Sequence, residues 1–102
     1  MIAVYTNPQK LPQNGVLELR QQAGRWLKEL REARRLSQRG LADRVGADYY
    51  TFISQIEAGR GRIPPDRYEA WAKALGVEPE SFVQTLLRYY DPLTHAIVFG
   101  DV

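Results

Sequence analysis

Polar and aromatic side chains in the middle of the chain carry the groups that could do chemistry. Gln55 is the most specific of them, because its amide both donates and accepts and can pair with the N6 and N7 atoms of an adenine. Thr51 and Ser54 are small enough to let a helix that carries Gln55 approach the floor of the DNA major groove. Tyr49 and Tyr50 could bond a phosphate or lay a ring against a thymine methyl group, although we expect one of the two rings to pack against the protein itself. We predict base contacts from these five residues.

Arginine residues surround this stretch. Arg60 and Arg62 follow it, with Gly61 between them, and their guanidinium groups suit the oxygens of a phosphate. Arg39 and Arg44 precede the stretch and are lesser candidates for the same kind of contact. The sequence therefore predicts phosphate contacts on both sides of the base-reading residues.

The net charge of +2 conceals an uneven distribution of charge along the chain. Residues 20–62 hold ten Lys or Arg against five Asp or Glu, whereas residues 63–102 hold three against six. A solvated basic helix would show a similar excess by itself. Because the excess coincides with the candidate contact residues, it indicates a surface for nucleic-acid phosphates.

Two short helices joined by a sharp turn would hold these side chains in place. Ser37 is a sound cap for the first helix, Gly46 lies in the turn, and Asp48 is expected to cap the second helix over residues 49–58. Phe52 fits either the edge of the core or the exposed face. Apolar residues recur at three- and four-residue spacing along both helices: Leu41, Ala42, Val45, Ile53 and Ile56. Such a pair is a helix-turn-helix, whose second helix enters the DNA major groove.

Three further helices are expected around this pair. The first should begin at about residue 16 or 18 and end at residue 35, with an amphipathic stripe along it. The next should begin near Pro65 and end at Gly76, and the last should run from Pro79 to residue 90. The sequence therefore predicts an all-α fold of five helices.

The chain resembles the phage-repressor and Cro-like (Xre-type) helix-turn-helix family over roughly residues 18–87. The resemblance lies in the segments LSQRGLADRVG, FISQIEAGRGRIP and YEAWAKALGV. It implies a lambda-repressor-like DNA-binding domain in which Gln38 bonds a backbone phosphate, and an ion pair between Arg31 and Glu57. The chain has one residue more than the family's common pattern, within residues 47–52, so the resemblance does not supply the base code.

Two apolar segments near the ends of the chain, residues 2–5 and 96–99, lie outside the expected five-helix core. We interpret residues 1–17 as an extended N-terminal arm, residues 18–90 as the DNA-binding domain, and residues 91–102 as a C-terminal tail with a short strand over residues 95–99. A lone two-stranded ribbon is marginal in water, so these ends either pair, within one chain or across a dimer, or remain frayed. The expected species is a homodimer, with contacts from Leu87, Tyr90, Ile97, Val98 and Phe99.

Other functional classes find little support in the composition. The chain has no cysteine and one histidine, and it shows neither metal-ligand spacing nor a phosphate-binding glycine loop. We therefore expect no enzymatic activity, no metal and no cofactor. We also expect neither a signal peptide nor a membrane span, because no apolar run approaches the roughly 20 residues that a span needs. These features indicate a cytoplasmic protein.

The favoured hypothesis is a sequence-specific regulator of transcription, a repressor, that binds double-stranded DNA as a homodimer on an inverted repeat. The first alternative is a DNA-binding antitoxin that also sequesters a toxin, with the acidic C-terminal third facing the toxin. The second is a helix-turn-helix adaptor that binds proteins, for example the transcription machinery, and has no DNA role. The basic residues around Gln38 and Arg60 argue against the adaptor.

Overall fold

Six α-helices and one 3₁₀ turn make up residues 13–100, the part of the chain that the computed structural model describes. In chain order they are α1 Gln13–Ala33, α2 Gln38–Val45, α3 Thr51–Glu57, the 3₁₀ turn Pro65–Arg67, α4 Tyr68–Leu75, α5 Pro79–Tyr90 and α6 Pro92–Phe99. The all-α prediction is confirmed over these residues, with α6 as an additional helix. None of these helices has the length and apolar character to cross a membrane.

The core forms where α1 packs against α3 and α5, and α4 lies against α2 and α5. Its largest fully buried side chains come from four of the helices and the loop after α3: Leu27, Leu41, Ile53, Ile63, Phe82 and Leu86. Trp26 of α1 stacks on Phe82 of α5, with ring centroids 5.5 Å apart. All five residues that define the predicted apolar face of the helix pair are buried, so that prediction is confirmed.

The turn between α2 and α3 is longer than the sequence indicated. Ser37 caps α2 as predicted, since its Oγ accepts a hydrogen bond from Gly40 N–H at 2.9 Å. Gly46 ends α2 in the left-handed conformation, with φ 74°. The prediction that Asp48 caps the next helix was wrong: α3 begins at Thr51, and Tyr50 takes the N-cap position without a side-chain hydrogen bond. The turn therefore extends to Tyr50, and the helix is shorter than predicted at both ends.

The described part of the C-terminal tail forms a helix that ends at Phe99. A strand was predicted over residues 95–99, but these residues belong to α6. Pro92 occupies the first helical turn, where its missing N–H costs nothing, and Asp91 caps the helix. The Asp91 carboxylate accepts hydrogen bonds from Thr94 N–H at 3.2 Å and Thr94 Oγ–H at 2.7 Å. This local cap favours a helix in a segment that was too short for hydrophobic periodicity to distinguish helix from strand.

The N-terminal boundary also differs from the prediction. Helix α1 begins at Gln13, so residues 13–17, which were predicted to belong to an extended arm, are helical. Residues 1–12, including the apolar segment 2–5, lie outside the described residues.

Candidate nucleic-acid interface

Helix α3 is fixed to α1 through an unusually close approach at Gly24. A Cβ atom on Gly24 would overlap the backbone oxygen of Glu57 and lie 2.6 Å from its carbonyl carbon and 2.9 Å from the backbone oxygen of Ile56. Only a hydrogen atom fits between these two backbones. Gly24 was not among the predicted functional residues, although an isolated glycine within an amphipathic helix is a recognised sign of close packing.

A buried ion pair joins the same two helices. The guanidinium of Arg31 donates to both carboxylate oxygens of Glu57, from Nε at 2.6 Å and from Nη2 at 3.0 Å, and from Nη1 to the Leu36 carbonyl at 2.8 Å. The hydrogen bond to Glu57 raises the pKa of Arg31 above its ordinary value. The pair expected from the resemblance is thus present, and it anchors the end of α3.

Gln38 completes this cluster from the start of α2. Its Nε2 donates to Glu57 Oε1 at 3.1 Å, so the side chain expected at a phosphate turns towards the ion pair. The first N–H groups of a helix have no acceptor within the helix. The side chain of Gln38 is thus held by the ion pair, while its backbone N–H lies in the first turn of α2.

The outer face of α3 and the turn before it carry exposed aromatic and polar side chains. Tyr49, Tyr50 and Phe52 expose 68, 41 and 54% of their surface. Thr51 is exposed as well, and Ser54 is half-buried. Phe52 thus belongs to the exposed face. Neither tyrosine is buried in the core, but the Tyr50 ring packs against Arg39 of α2, as expected for one of the two rings.

Two of the predicted contact residues of this face are linked to arginines. The Arg39 guanidinium lies 4.6 Å above the centre of the Tyr50 ring, a cation–π geometry. Arg60 Nε–H donates to Gln55 Oε1 at 2.9 Å, and both side chains are exposed. The candidate phosphate residues Arg39 and Arg60 therefore lie directly beside candidate base readers.

Arg62 has a different environment. It is half-buried, with its Cζ atom 4.6 Å from the centre of the Tyr90 ring and its Nη2 donating to Tyr68 Oη at 3.3 Å. These contacts hold Arg62 against α4 and α5. A phosphate contact by this side chain would have to form from that position.

Tyr90 belongs to the core of the monomer. Only 8% of its surface is exposed, and its hydroxyl accepts a hydrogen bond from Ile63 N–H at 3.1 Å. Burial raises its pKa. Tyr90 was predicted to contribute a dimer contact, but its ring is already covered by its own chain and has little surface left for a second copy.

The other predicted dimer residues lie on α6 and on the neighbouring α5, and much of the α6 surface is exposed. Helix α6 makes its main contacts with α5 and exposes 83% of Ile97 and 62% of Val98. Leu87 is half-buried, and so is Phe99, whose ring lies 5.2 Å from the buried ring of His95. Helix α6 therefore presents an unpartnered apolar surface at the end of the described chain.

No cluster of three or more metal-ligating side chains is found among residues 13–100.

The model of a helix-turn-helix domain family matches residues 22–86, which is more than half of the chain and includes α2, α3 and the ion pair. No curated protein matches the chain significantly. The match also covers the exposed face of α3 and the arginines around it. The chain belongs to the helix-turn-helix domain family.

Proposed function

We propose that the protein is a sequence-specific transcriptional regulator that inserts α3 into the major groove of double-stranded DNA. One observation carries the proposal: α3 is anchored from behind by the buried Arg31–Glu57 pair and presents an exposed polar and aromatic face bordered by arginines. A rigidly held helix with such a face suits base readout, while the surrounding cations suit the backbone. Repression is the simplest outcome, because occupying an operator requires no additional contact with the transcription machinery.

The proposed roles follow the geometry of this face. Tyr49, Tyr50, Thr51, Ser54 and Gln55 would meet base edges, and the exposed guanidinium of Arg39 would meet a phosphate while its flat side rests on Tyr50. Arg60 lies at the boundary between bases and backbone. Gln38 and Arg62 already have partners within the protein, so in this proposal they support the backbone contacts from the edge of the interface.

We further propose that the working species is a homodimer of the phage-repressor and Cro-like type on an inverted repeat. One recognition helix reads only a few base pairs, and a second copy doubles the readout, with half-sites about one helical turn apart. The segment PLTHAIVF of α6 carries no Asp, Glu, Lys or Arg, so two copies could meet about a twofold axis without opposing like charges. Residues 91–102 would then serve as the dimerisation segment, with α6 making the contact.

A binding experiment tests the central proposal. Selection from a pool of random duplexes, followed by anisotropy titration, should give a preferred sequence that the protein binds far more tightly than scrambled duplex. Thr51→Glu places a negative charge in the first turn of α3 and should abolish binding through phosphate repulsion. Ser81→Glu makes a comparable change in the first turn of α5 and should bind normally. Equal affinity for selected and scrambled duplexes would refute sequence-specific binding.

In the antitoxin alternative, the exposed helix α6 would bind a toxin. Ile97 and Val98 could receive a second protein instead of a second copy, and the C-terminal third of the chain is acidic. Co-expression with the product of the neighbouring gene distinguishes the two cases, because an antitoxin would form a stable complex and relieve toxicity. The adaptor alternative predicts that neutralising Arg39 and Arg60 leaves the biological activity intact.

A further inference from the structure

We propose that Gln55 and Arg60 act together as one base reader that selects guanine, rather than as an adenine reader and a separate phosphate contact. The inference rests on the proposed function, because it concerns the base that α3 selects once it lies in the major groove. It replaces the adenine pairing expected for an isolated glutamine.

The end of α3 holds these two residues side by side. Arg60 N–H donates to the Gln55 carbonyl at 2.9 Å, and Gly59 N–H donates to the Ile56 carbonyl at 3.2 Å, with Gly59 at φ 83°. These are the two hydrogen bonds of a Schellman motif, which closes a helix by folding the chain back on its last turn. The motif therefore brings the Arg60 side chain next to that of Gln55.

Packing against α1 keeps this helix end in place. A Cβ atom on Gly59 would lie 2.7 Å from Cγ and 2.9 Å from Cα of Gln21, so the position requires glycine for space as well as for its positive φ. Glu57, two residues before Gly59, also ties this helix end to α1 through its buried pair with Arg31. The proximity of Gln55 and Arg60 is thus a consequence of the fold.

The hydrogen bond between the side chains changes what Gln55 offers to DNA. Arg60 Nε–H donates to Gln55 Oε1 at 2.9 Å and so takes up one of the two lone pairs of the oxygen that an isolated glutamine would use for adenine N6. The groups left for a base are then mainly donors: the Nε2 hydrogens of Gln55 and the Nη hydrogens of Arg60.

A protein surface that presents mainly hydrogen-bond donors complements guanine best. In the major groove guanine presents two acceptors, N7 and O6, whereas the exocyclic amino groups of adenine and cytosine are donors, and thymine offers a single acceptor beside its methyl group. Because Gln55 and Arg60 are both exposed, their free hydrogens can reach such an edge. Removing Arg60 would release the Gln55 amide oxygen and restore the donor–acceptor pattern that suits adenine.

Selection from random duplexes, followed by competition between duplexes that differ at one base pair, tests the inference. The variants are Arg60→Ala and Gln55→Ala, with Arg88→Ala, at an exposed arginine of α5, as the control. Wild type and Arg88→Ala should select guanine at one position of each half-site, by about 5- to 150-fold over adenine. Arg60→Ala should prefer adenine at that position, and Gln55→Ala should lose most of the discrimination. Matching melting temperatures would show that the variants fold.

Three outcomes would overturn the inference. If wild type selects adenine at that position, the Gln55 amide oxygen is available to the base. If Arg60→Ala weakens binding to all duplexes alike and keeps the base preference, Arg60 is a phosphate contact. Both results leave the proposed function standing. If wild type enriches no sequence at all, the proposed function fails, and the inference fails with it.

Discussion

Arg31 and Glu57 join the last turn of α1 to the last residue of α3, across 26 positions of sequence, through two hydrogen bonds of 2.6 and 3.0 Å. The two side chains expose only 9 and 5% of their surface. Their shared position behind the exposed face of α3 means that the orientation of the candidate recognition helix depends on a polar contact inside the protein. Any change that breaks this contact should affect stability and DNA binding together.

Breaking the ion pair should destabilise the fold strongly. Glu57→Ala leaves the Arg31 guanidinium buried without its carboxylate, and removal of one partner from a buried pair costs about 3–5 kcal/mol. Glu80→Ala, at an exposed position of α5, should change the free energy of unfolding by no more than about 0.5 kcal/mol. Urea denaturation of the two variants measures the difference. Equal midpoints would show that the pair contributes little.

Gly24 should tolerate no side chain. Glycine to alanine within a helix ordinarily stabilises, by roughly 0.5–1 kcal/mol, because alanine has the higher helix propensity. At Gly24 we expect the opposite sign, a loss of about 1–3 kcal/mol or more, because the new methyl group overlaps the backbone of Glu57. Gly61→Ala is the control, since its nearest neighbour would lie 3.6 Å away. A Gly24→Ala protein that melts at or above the wild-type temperature would contradict the close approach.

Substitution of Gln55 should weaken DNA binding in a sequence-dependent way, whereas substitution of Arg39 should weaken binding to any sequence. Gln55→Ala should weaken binding to the preferred site by about 1–3 kcal/mol and leave random duplex almost unaffected. Arg39→Ala should weaken both kinds of duplex alike and reduce the slope of log K against log salt by about 0.9 if it neutralises one phosphate. Titrations at several salt concentrations measure both effects. Wild-type affinity of Gln55→Ala for the preferred site would refute its role as a base reader.

A charged residue introduced on the exposed surface of α6 should weaken dimerisation without destabilising the monomer. Ile97→Lys places a charge on a side chain that is 83% exposed, so the monomer should keep its stability. Dimerisation should weaken, and a full palindromic site should be bound little better than a half-site. Ala33→Lys, at the exposed end of α1, adds the same charge elsewhere and should leave both properties unchanged. Sedimentation equilibrium reports the oligomeric state. A wild-type protein that stays monomeric at tens of micromolar, free and on a palindrome, would exclude the proposed dimer.

Alkaline pH should destabilise the protein through Tyr90. Burial raises the pKa of this phenol in the folded state above its unfolded value, so the contribution is fully present below about pH 10. It is lost as pH rises from the unfolded towards the folded pKa, because the unfolded chain releases the proton first. Tyr90→Phe should therefore lose stability less steeply above pH 10, from a lower starting value because Ile63 N–H loses its acceptor. Tyr49→Phe, at an exposed ring, should follow the wild-type curve.

The sequence by itself determined the helical architecture and the inward face of the helix pair. Leu41, Ala42, Val45, Ile53 and Ile56 occur at helical spacing, and burial of apolar area favours one register of such a pattern strongly over the others. Ser37, Gly46 and Pro79 marked helix boundaries through local backbone chemistry that operates within a few residues. Such short-range effects can be deduced without knowing the fold.

Only the tertiary structure decided which polar partners the candidate contact residues have. Gln38 turns to Glu57, Arg62 rests on Tyr90, and Gly24 lies against the end of α3, and each of these contacts joins residues far apart in sequence. Long side chains can reach several partners, and their choice depends on distances set by helix packing. For the same reason the sequence could place Arg60 near the DNA, but the Schellman turn after α3 was needed to place it on Gln55.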